Sequence, residues 1–259
     1  CEVTTMASGG PRSEAFTTVL GNEHGLVADW PRHQQRMKDH AARLRIELPK
    51  DGPKVPHDGG EGWRLARIGC ASAEAWNVSV RPLGIRDEAI DAISVEAPRW
   101  NDRTNGTKHG DWSAYRAAME AAEAAGCDAA LLIHEHAVID GDRSTPMVLD
   151  EDGTVWMAHP SEGGVDGVTA DVLASLLPSL GMPVVKGKLN ERTVARCAEF
   201  VLVGTGMGVC RVNTIDGVKT GNSTVLSTAC HRLLSQHFTE KATWSSTGPH
   251  DVETRDGRR

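Results

Sequence analysis

The sequence predicts a two-domain chain of mixed α+β and α/β class, with a small N-terminal unit over 1–105 and a larger one over 106–245. Three observations carry this. The first hundred residues hold several short β-branched or aromatic runs around one helix-forming stretch. From Ser113 onward, helix-forming segments alternate with short apolar runs. The polar stretch Asn101–Gly106 separates these two rhythms, and no internal repeat or low-complexity tract appears on either side.

Element by element, Glu14–Leu20 is rich in Phe, Thr and Val and reads as a strand, and Pro31–Leu44 carries helix formers and stops near Pro49. The segment 50–62 is dominated by Gly, Pro, Asp and Lys and reads as an exposed loop. Trp63–Ala71, Trp76–Pro82 and Ile93–Ala97 are expected as strands of the small unit. The Ala-rich run Ser113–Ala125 is a helix that stops at Gly126, and Ala129–Ile133 is a buried strand. Thr145–Leu149 and Thr154–Ala158 flank Asp152-Gly153, a hairpin signal. Val168–Leu177 is a helix opened by Thr169, Pro183–Lys186 a short strand, and Asn190 begins another helix. Phe200–Val203 runs as a strand into the glycine-rich turn Gly204–Gly208, followed by the strand Val209–Ile215. The polar tail, 246–259, is expected to be disordered.

Composition narrows the functional classes. At 259 residues, 39% hydrophobic and 24% charged, the chain has the makeup of a globular protein with ample core. A net charge of −7 and a pI near 5.9 argue against nucleic acid or an anionic membrane as the main partner. No apolar run is long enough to span a bilayer. No secretory signal is visible, and the chain starts at Cys1 rather than Met, as a fragment or trimmed chain does. Six cysteines without a C-x-x-C pair point to reduced thiols and a cytoplasmic setting. His134 and His136 form an H-x-H that would share a strand face, yet no third ligand is indicated, and no metal is expected.

The chemistry concentrates around Lys108. A lysine beside a helix start is ordinarily a solvated surface residue. Held at the edge of a helix–strand unit and desolvated, its amine becomes a nucleophile or base. An anion such as a phosphate monoester wants backbone N–H donors, hydroxyls and a cation. Val168 and Thr169 at a helix N-terminus, Thr205 and Gly206 in the glycine-rich turn, and Arg36 with its planar fork supply these. The alternative for Gly204–Gly208 is a plain tight turn, since the dinucleotide spacing G-x-G-x-x-G is absent.

Several motifs then fall into one order. Phe16-Thr17-Thr18, His33-Gln34-Gln35-Arg36-Met37, Lys108 with the following AAEAAGCDAALLI, Gly167-Val168-Thr169, Ala198-Glu199-Phe200 and Gly204-Thr205-Gly206 stand in register over nearly the whole chain. That order resembles the class IV aminotransferase family, pyridoxal-phosphate enzymes of fold type IV that include branched-chain and D-amino-acid aminotransferases and aminodeoxychorismate lyase. The resemblance implies pyridoxal 5′-phosphate as cofactor and Lys108 as its Schiff-base lysine. It implies that Arg36, Val168, Thr169, Thr205 and Gly206 hold the phosphate. Asp140 would hold the pyridine nitrogen, so that the ring acts as an electron sink. It also implies a homodimer with each active site near the subunit interface. Several positions depart from the family pattern. Asp140 replaces the usual glutamate, Ala170 the arginine of G-I-T-R, and Thr145 an asparagine. Trp112 and Ser113 stand where a tyrosine is usual.

Within the family, Phe16-Thr17-Thr18 and Lys108-His109 resemble aminodeoxychorismate lyase, with Thr17 or Thr18 facing the cleft to bind substrate. The resemblance thus implies conversion of 4-amino-4-deoxychorismate to 4-aminobenzoate and pyruvate, as in folate biosynthesis. The alternatives are a transaminase of branched-chain or D-amino acids, and a pyridoxal-phosphate-binding paralogue without turnover. Each takes a small-molecule amine as partner.

Overall fold

The computed structural model describes residues 10–56, 62–84 and 89–248. Two sheets form the scaffold. The first takes β1 (Ala15–Gly21), β2 (Val27–Ala28), β3 (Arg64–Ser72) and β4 (Ala75–Pro82), with α1 (Trp30–Leu44) packed against it. β5 (Ile90–Glu96), α2 (Ser113–Ala124) and β6 (Ala129–His134) open the second. They are followed by β7 (Ala137–Gly141), β8 (Thr145–Leu149), β9 (Val155–Ala158) and α3 (Val168–Leu176). Next come β10 (Val184–Gly187), β11 (Leu189–Asn190), α4 (Glu191–Ala195), β12 (Glu199–Gly204) and β13 (Gly208–Ile215). β14 (Val218–Lys219), α5 (Val225–Thr239) and β15 (Trp244–Ser245) complete the chain order.

The first sheet runs β15-β2-β1-β3-β4, all antiparallel; the second runs β10-β9-β8-β12-β13-β5-β6-β7-β11, with β14 on β13. The sheets divide between Pro82 and Ile90, earlier than the boundary near 105 that the sequence suggests. β5 pairs in parallel with β6 and β13, so it belongs to the second sheet. Consecutive strand-like runs look alike in sequence; their partners 30 and more residues away decide the sheet. In the other direction, Trp244–Ser245 closes the first sheet, and Thr247 donates from its hydroxyl to the Pro53 carbonyl at 2.5 Å. The expected polar tail is therefore docked through residue 248, and 249–259 lie outside the described residues.

Local chemistry explains the elements that carry the site. α1 starts with Pro31 in its first turn, where the missing N–H is harmless, and ends at Arg45 in the left-handed region, whose N–H reaches Ala41 and Ala42 carbonyls. Its Met37, Ala41 and Leu44 bury against Ala15 and Cys70. β1 alternates: Ala15, Thr17 and Val19 turn toward α1, while Phe16 and Thr18 turn into a cleft. α2 buries Tyr115, Ala118 and Ala122 on β6. α3 and α5 cover β12 and β13 through Val172, Leu173, Leu226 and Cys230. The sequence reading missed α5, whose N-terminus is held by the buried Glu199 carboxylate, accepting from the N–H groups of Leu226 (2.6 Å) and Ser227 (3.0 Å). His134 and His136 do not share a strand face: His134 ends β6, and Glu135-His136 forms the two-residue turn, both with positive φ. No metal-binding cluster of His, Cys, Asp or Glu occurs among the described residues. No helix among them is long and apolar enough to cross a membrane.

Candidate active site

A cleft of about 240 Å³ opens between the two sheets. Lys108 enters from the loop before α2. Its backbone is pinned twice: its N–H donates to His40 Nδ1 on α1 (3.1 Å), and its carbonyl accepts from the Phe16 N–H on β1 (3.1 Å). The close approach needs Gly110, since a Cβ there would run into Ser13 and the Glu14 backbone. Burial, reinforced by nearby charges, keeps His40 well below the usual histidine range and hence a neutral acceptor. The Lys108 amine lies over two aromatic rings that meet edge to face, 5.2 Å from the centre of Phe16 and 4.8 Å from that of Trp112. Burial, then the positive charge of Arg36, pulls its pKa well down; Asp140 opposes this and Arg67 adds to it. The free base of such an amine forms at a lower pH than that of an ordinary lysine.

Asp140 stands on β7 in the same cleft. One carboxylate oxygen accepts from the Val165 N–H (2.9 Å) and the Tyr115 hydroxyl (3.3 Å); the other accepts from the Gly141 N–H (3.0 Å). Burial raises its pKa, partly offset by these bonds and by Lys108. Gly164 lets the Val165 segment close over β7, because a Cβ would strike the Ile139 carbonyl. Tyr115, the only tyrosine in the chain, is a residue the sequence reading did not single out. It lies on the helix turn after Trp112, and the two rings stack at 3.8 Å and 7°. Its hydroxyl thus reaches the site from three residues beyond Trp112.

Opposite lies an anion cradle. Val168 and Thr169 present the first N–H groups of α3, which helical geometry leaves unpaired. Thr205 and Gly206 occupy the β12–β13 turn, closed by the Met207 N–H on the Gly204 carbonyl. The Thr169 and Thr205 hydroxyl oxygens are 3.3 Å apart, and a Cβ at Gly206 would press on Leu65. Arg36 completes the cradle. Its Nη1 donates to the Asp166 carbonyl (3.1 Å) and its Nη2 to the Thr17 hydroxyl (2.7 Å), while its buried Nε has no partner among the described residues. An orphaned guanidinium donor, two hydroxyls and free helix N–H groups fit a phosphate monoester. Arg36→Ala should weaken pyridoxal 5′-phosphate binding about tenfold or more, as read by absorbance titration, since charge-assisted bonds are worth roughly 1.5–3 kcal/mol. Thr205→Val should lose less.

The structure thus brings Lys108, Asp140, Arg36, Val168, Thr169, Thr205, Gly206 and Thr18 to one cleft. Thr17 is the exception. It was expected to face substrate, but strand alternation turns it away, fully buried against α1. His109 is likewise buried outside the cleft, beneath Trp100 and Trp112, with its pKa pulled down to about 4 by burial. Arg81 and Arg143 also line the cleft and were not singled out from sequence.

The sequence profile of the family described as amino-transferase class IV matches residues 57–215. The chain belongs to the class IV aminotransferase family. Solved structures of the same fold include three similar ones. One is a branched-chain aminotransferase from the thermophilic archaeon Thermoproteus uzoniensis, solved with norvaline: 15% identity, TM-score 0.79, 90% of each chain covered. Another is a Legionella pneumophila protein provisionally assigned as a 4-amino-4-deoxychorismate lyase: 17% identity, TM-score 0.74, covering 91% of this chain and 97% of that one. A third is a hypothetical aminotransferase from Mycobacterium tuberculosis in its PLP-bound form: 16% identity, TM-score 0.73, covering 92% and 95%. No curated protein sequence matches the chain. The fold is that of class IV aminotransferases, fold type IV among pyridoxal-phosphate enzymes.

Proposed function

We propose that this chain is a pyridoxal 5′-phosphate-dependent lyase that converts 4-amino-4-deoxychorismate to 4-aminobenzoate and pyruvate. Family membership brings the cofactor. The carrying observation is the shared cleft in which a desolvated amine, a buried carboxylate and an anion cradle face one another. When bound, the cofactor supplies an electron sink for negative charge developing on the substrate carbon.

The residues divide the remaining work. Arg36, the α3 N–H groups and the hydroxyls of Thr169 and Thr205 anchor phosphate. Asp140, fixed by Val165, Gly141 and Tyr115, would hold the ring nitrogen. Lys108 would hold the cofactor and, as a free base, would take the proton from the substrate carbon bearing nitrogen. Arg81 and Arg143 suit a substrate carrying carboxylates, and the Thr18 hydroxyl faces the same space. The working form proposed is a homodimer.

A second reading is transamination of aliphatic amino acids, favoured by the apolar wall of Phe16, Leu65 and Met119. One assay separates them. The lyase should release pyruvate from 4-amino-4-deoxychorismate with no keto acid present. Turnover of branched-chain or D-amino acids that needs an acceptor such as 2-oxoglutarate, with no pyruvate from 4-amino-4-deoxychorismate, would assign a transaminase.

A further inference from the structure

Arg36 is supported from behind the cleft as well as within it. Thr17 is fully buried on the α1 side of β1, and its hydroxyl oxygen sits between two groups, Arg36 Nη2 at 2.7 Å and His33 Nδ1 at 2.8 Å. A guanidinium carries only donors, so the Thr17 oxygen accepts from Arg36. The hydroxyl has one proton left to place, and His33 Nδ1 is its hydrogen-bond partner on the other side. That arrangement makes Nδ1 the bare acceptor and puts the imidazole proton on Nε2. Burial of His33, with Arg36 and Lys108 nearby, favours the same neutral ring.

We infer that His33 is a positioning residue for the anion-binding arginine, acting through Thr17. The inference rests on the reading of Arg36 as a phosphate ligand. His33 and Arg36 are three residues apart on α1, one helical turn, and reach Thr17 from the same face. With the hydroxyl proton committed to His33, a lone pair of Thr17 points at Nη2. The Asp166 carbonyl holds Nη1, so two of the three guanidinium nitrogens are fixed by protein and Nε is left as the unspent donor. Removing the acceptor frees the hydroxyl to rotate its proton toward a cation, which breaks the support. The sequence pattern H-x-x-R therefore joins two parts of one device, linked by a threonine from the neighbouring strand.

The test is pyridoxal 5′-phosphate affinity of the full chain at neutral pH, read by absorbance, alongside the melting midpoint of the cofactor-free protein. Thr17→Val and His33→Phe should each weaken binding about three- to tenfold, the range for loss of one hydrogen bond. Thr17→Ser, which keeps the hydroxyl, should bind as the native chain does. In an Arg36→Ala background the Val and Phe substitutions should change affinity no further, because all three act on one contact. Thr17 and Val are nearly the same size, so the Val/Ser pair stays informative even if Phe at 33 impairs folding. Equal losses with Val and Ser, or undiminished losses in the Arg36→Ala background, would overturn the inference. Native affinity in Thr17→Val with weakened binding in Arg36→Ala would sink the relay alone. Native affinity in Arg36→Ala would sink the phosphate reading and the relay with it.

Discussion

Lys108→Ala is expected to fold, to retain weak binding of pyridoxal 5′-phosphate through the anion cradle, and to lose turnover by about a thousandfold or more. The size follows from the two roles proposed for one amine, covalent anchor and base. Borohydride treatment of the native, cofactor-loaded protein should fix the label on the peptide containing Lys108, and label on any other lysine would refute the assignment. The pH dependence has a definite sign. The free amine is the reactive form, and burial with Arg36 lowers the Lys108 pKa. Covalent uptake of the cofactor should therefore rise with pH and level off below the ordinary lysine range. Between the lowered folded value and the ordinary unfolded one, the unfolded chain binds more protons, so stability of the cofactor-free protein should rise with pH across that interval. Uptake that rises only near the ordinary lysine value would contradict the desolvated site.

Asp140→Ala is expected to do comparable damage by a different route. The carboxylate accepts from Val165, Gly141 and Tyr115 at once; Gly141 keeps its bond to the Ser144 carbonyl, so removal strands two buried donors, the Val165 N–H and the Tyr115 hydroxyl, each worth about 1–3 kcal/mol when unsatisfied. Melting temperature should fall, and turnover should drop about a hundredfold or more through loss of the carboxylate proposed to face the ring nitrogen. Asp140→Asn keeps an acceptor oxygen and should melt between the native and Ala proteins while losing as much turnover. The pKa of Asp140 is raised, so the folded state holds more protons than the unfolded chain between the ordinary carboxylate value and the raised one. Its contribution to stability therefore declines as pH rises through that window, and both substitutions should remove this slope. Thermal melts against pH test the sign; an unchanged slope in both variants would place the titration elsewhere.

The residues that make the site were unevenly legible. Lys108, Arg36, Thr169, Thr205 and Gly206 could be read because their chemistry is tied to local signals: a helix start, a glycine-rich turn, a fixed motif spacing. Tyr115 could not, since its hydroxyl reaches Asp140 only after α2 packs on β6 and Trp112 stacks across its ring. His40 was hidden for the same reason; nothing in α1 announces a bond to a backbone 68 residues away. The inward or outward turn of Thr17 against Thr18 was open in sequence, because both residues are β-branched and polar. Only α1 lying on one side of β1 decides it.

The sequence by itself determined most strands and helices, the order of the motifs and hence the family, because those depend on residue chemistry within short windows. Tertiary structure decided the rest. It moved β5 into the second sheet, docked Trp244 and Thr247 onto the first, and formed the cleft between them. It also brought a desolvated lysine and a buried aspartate into one cleft. Sheet membership and desolvation are set by partners distant in sequence, and a window of neighbours carries no record of them.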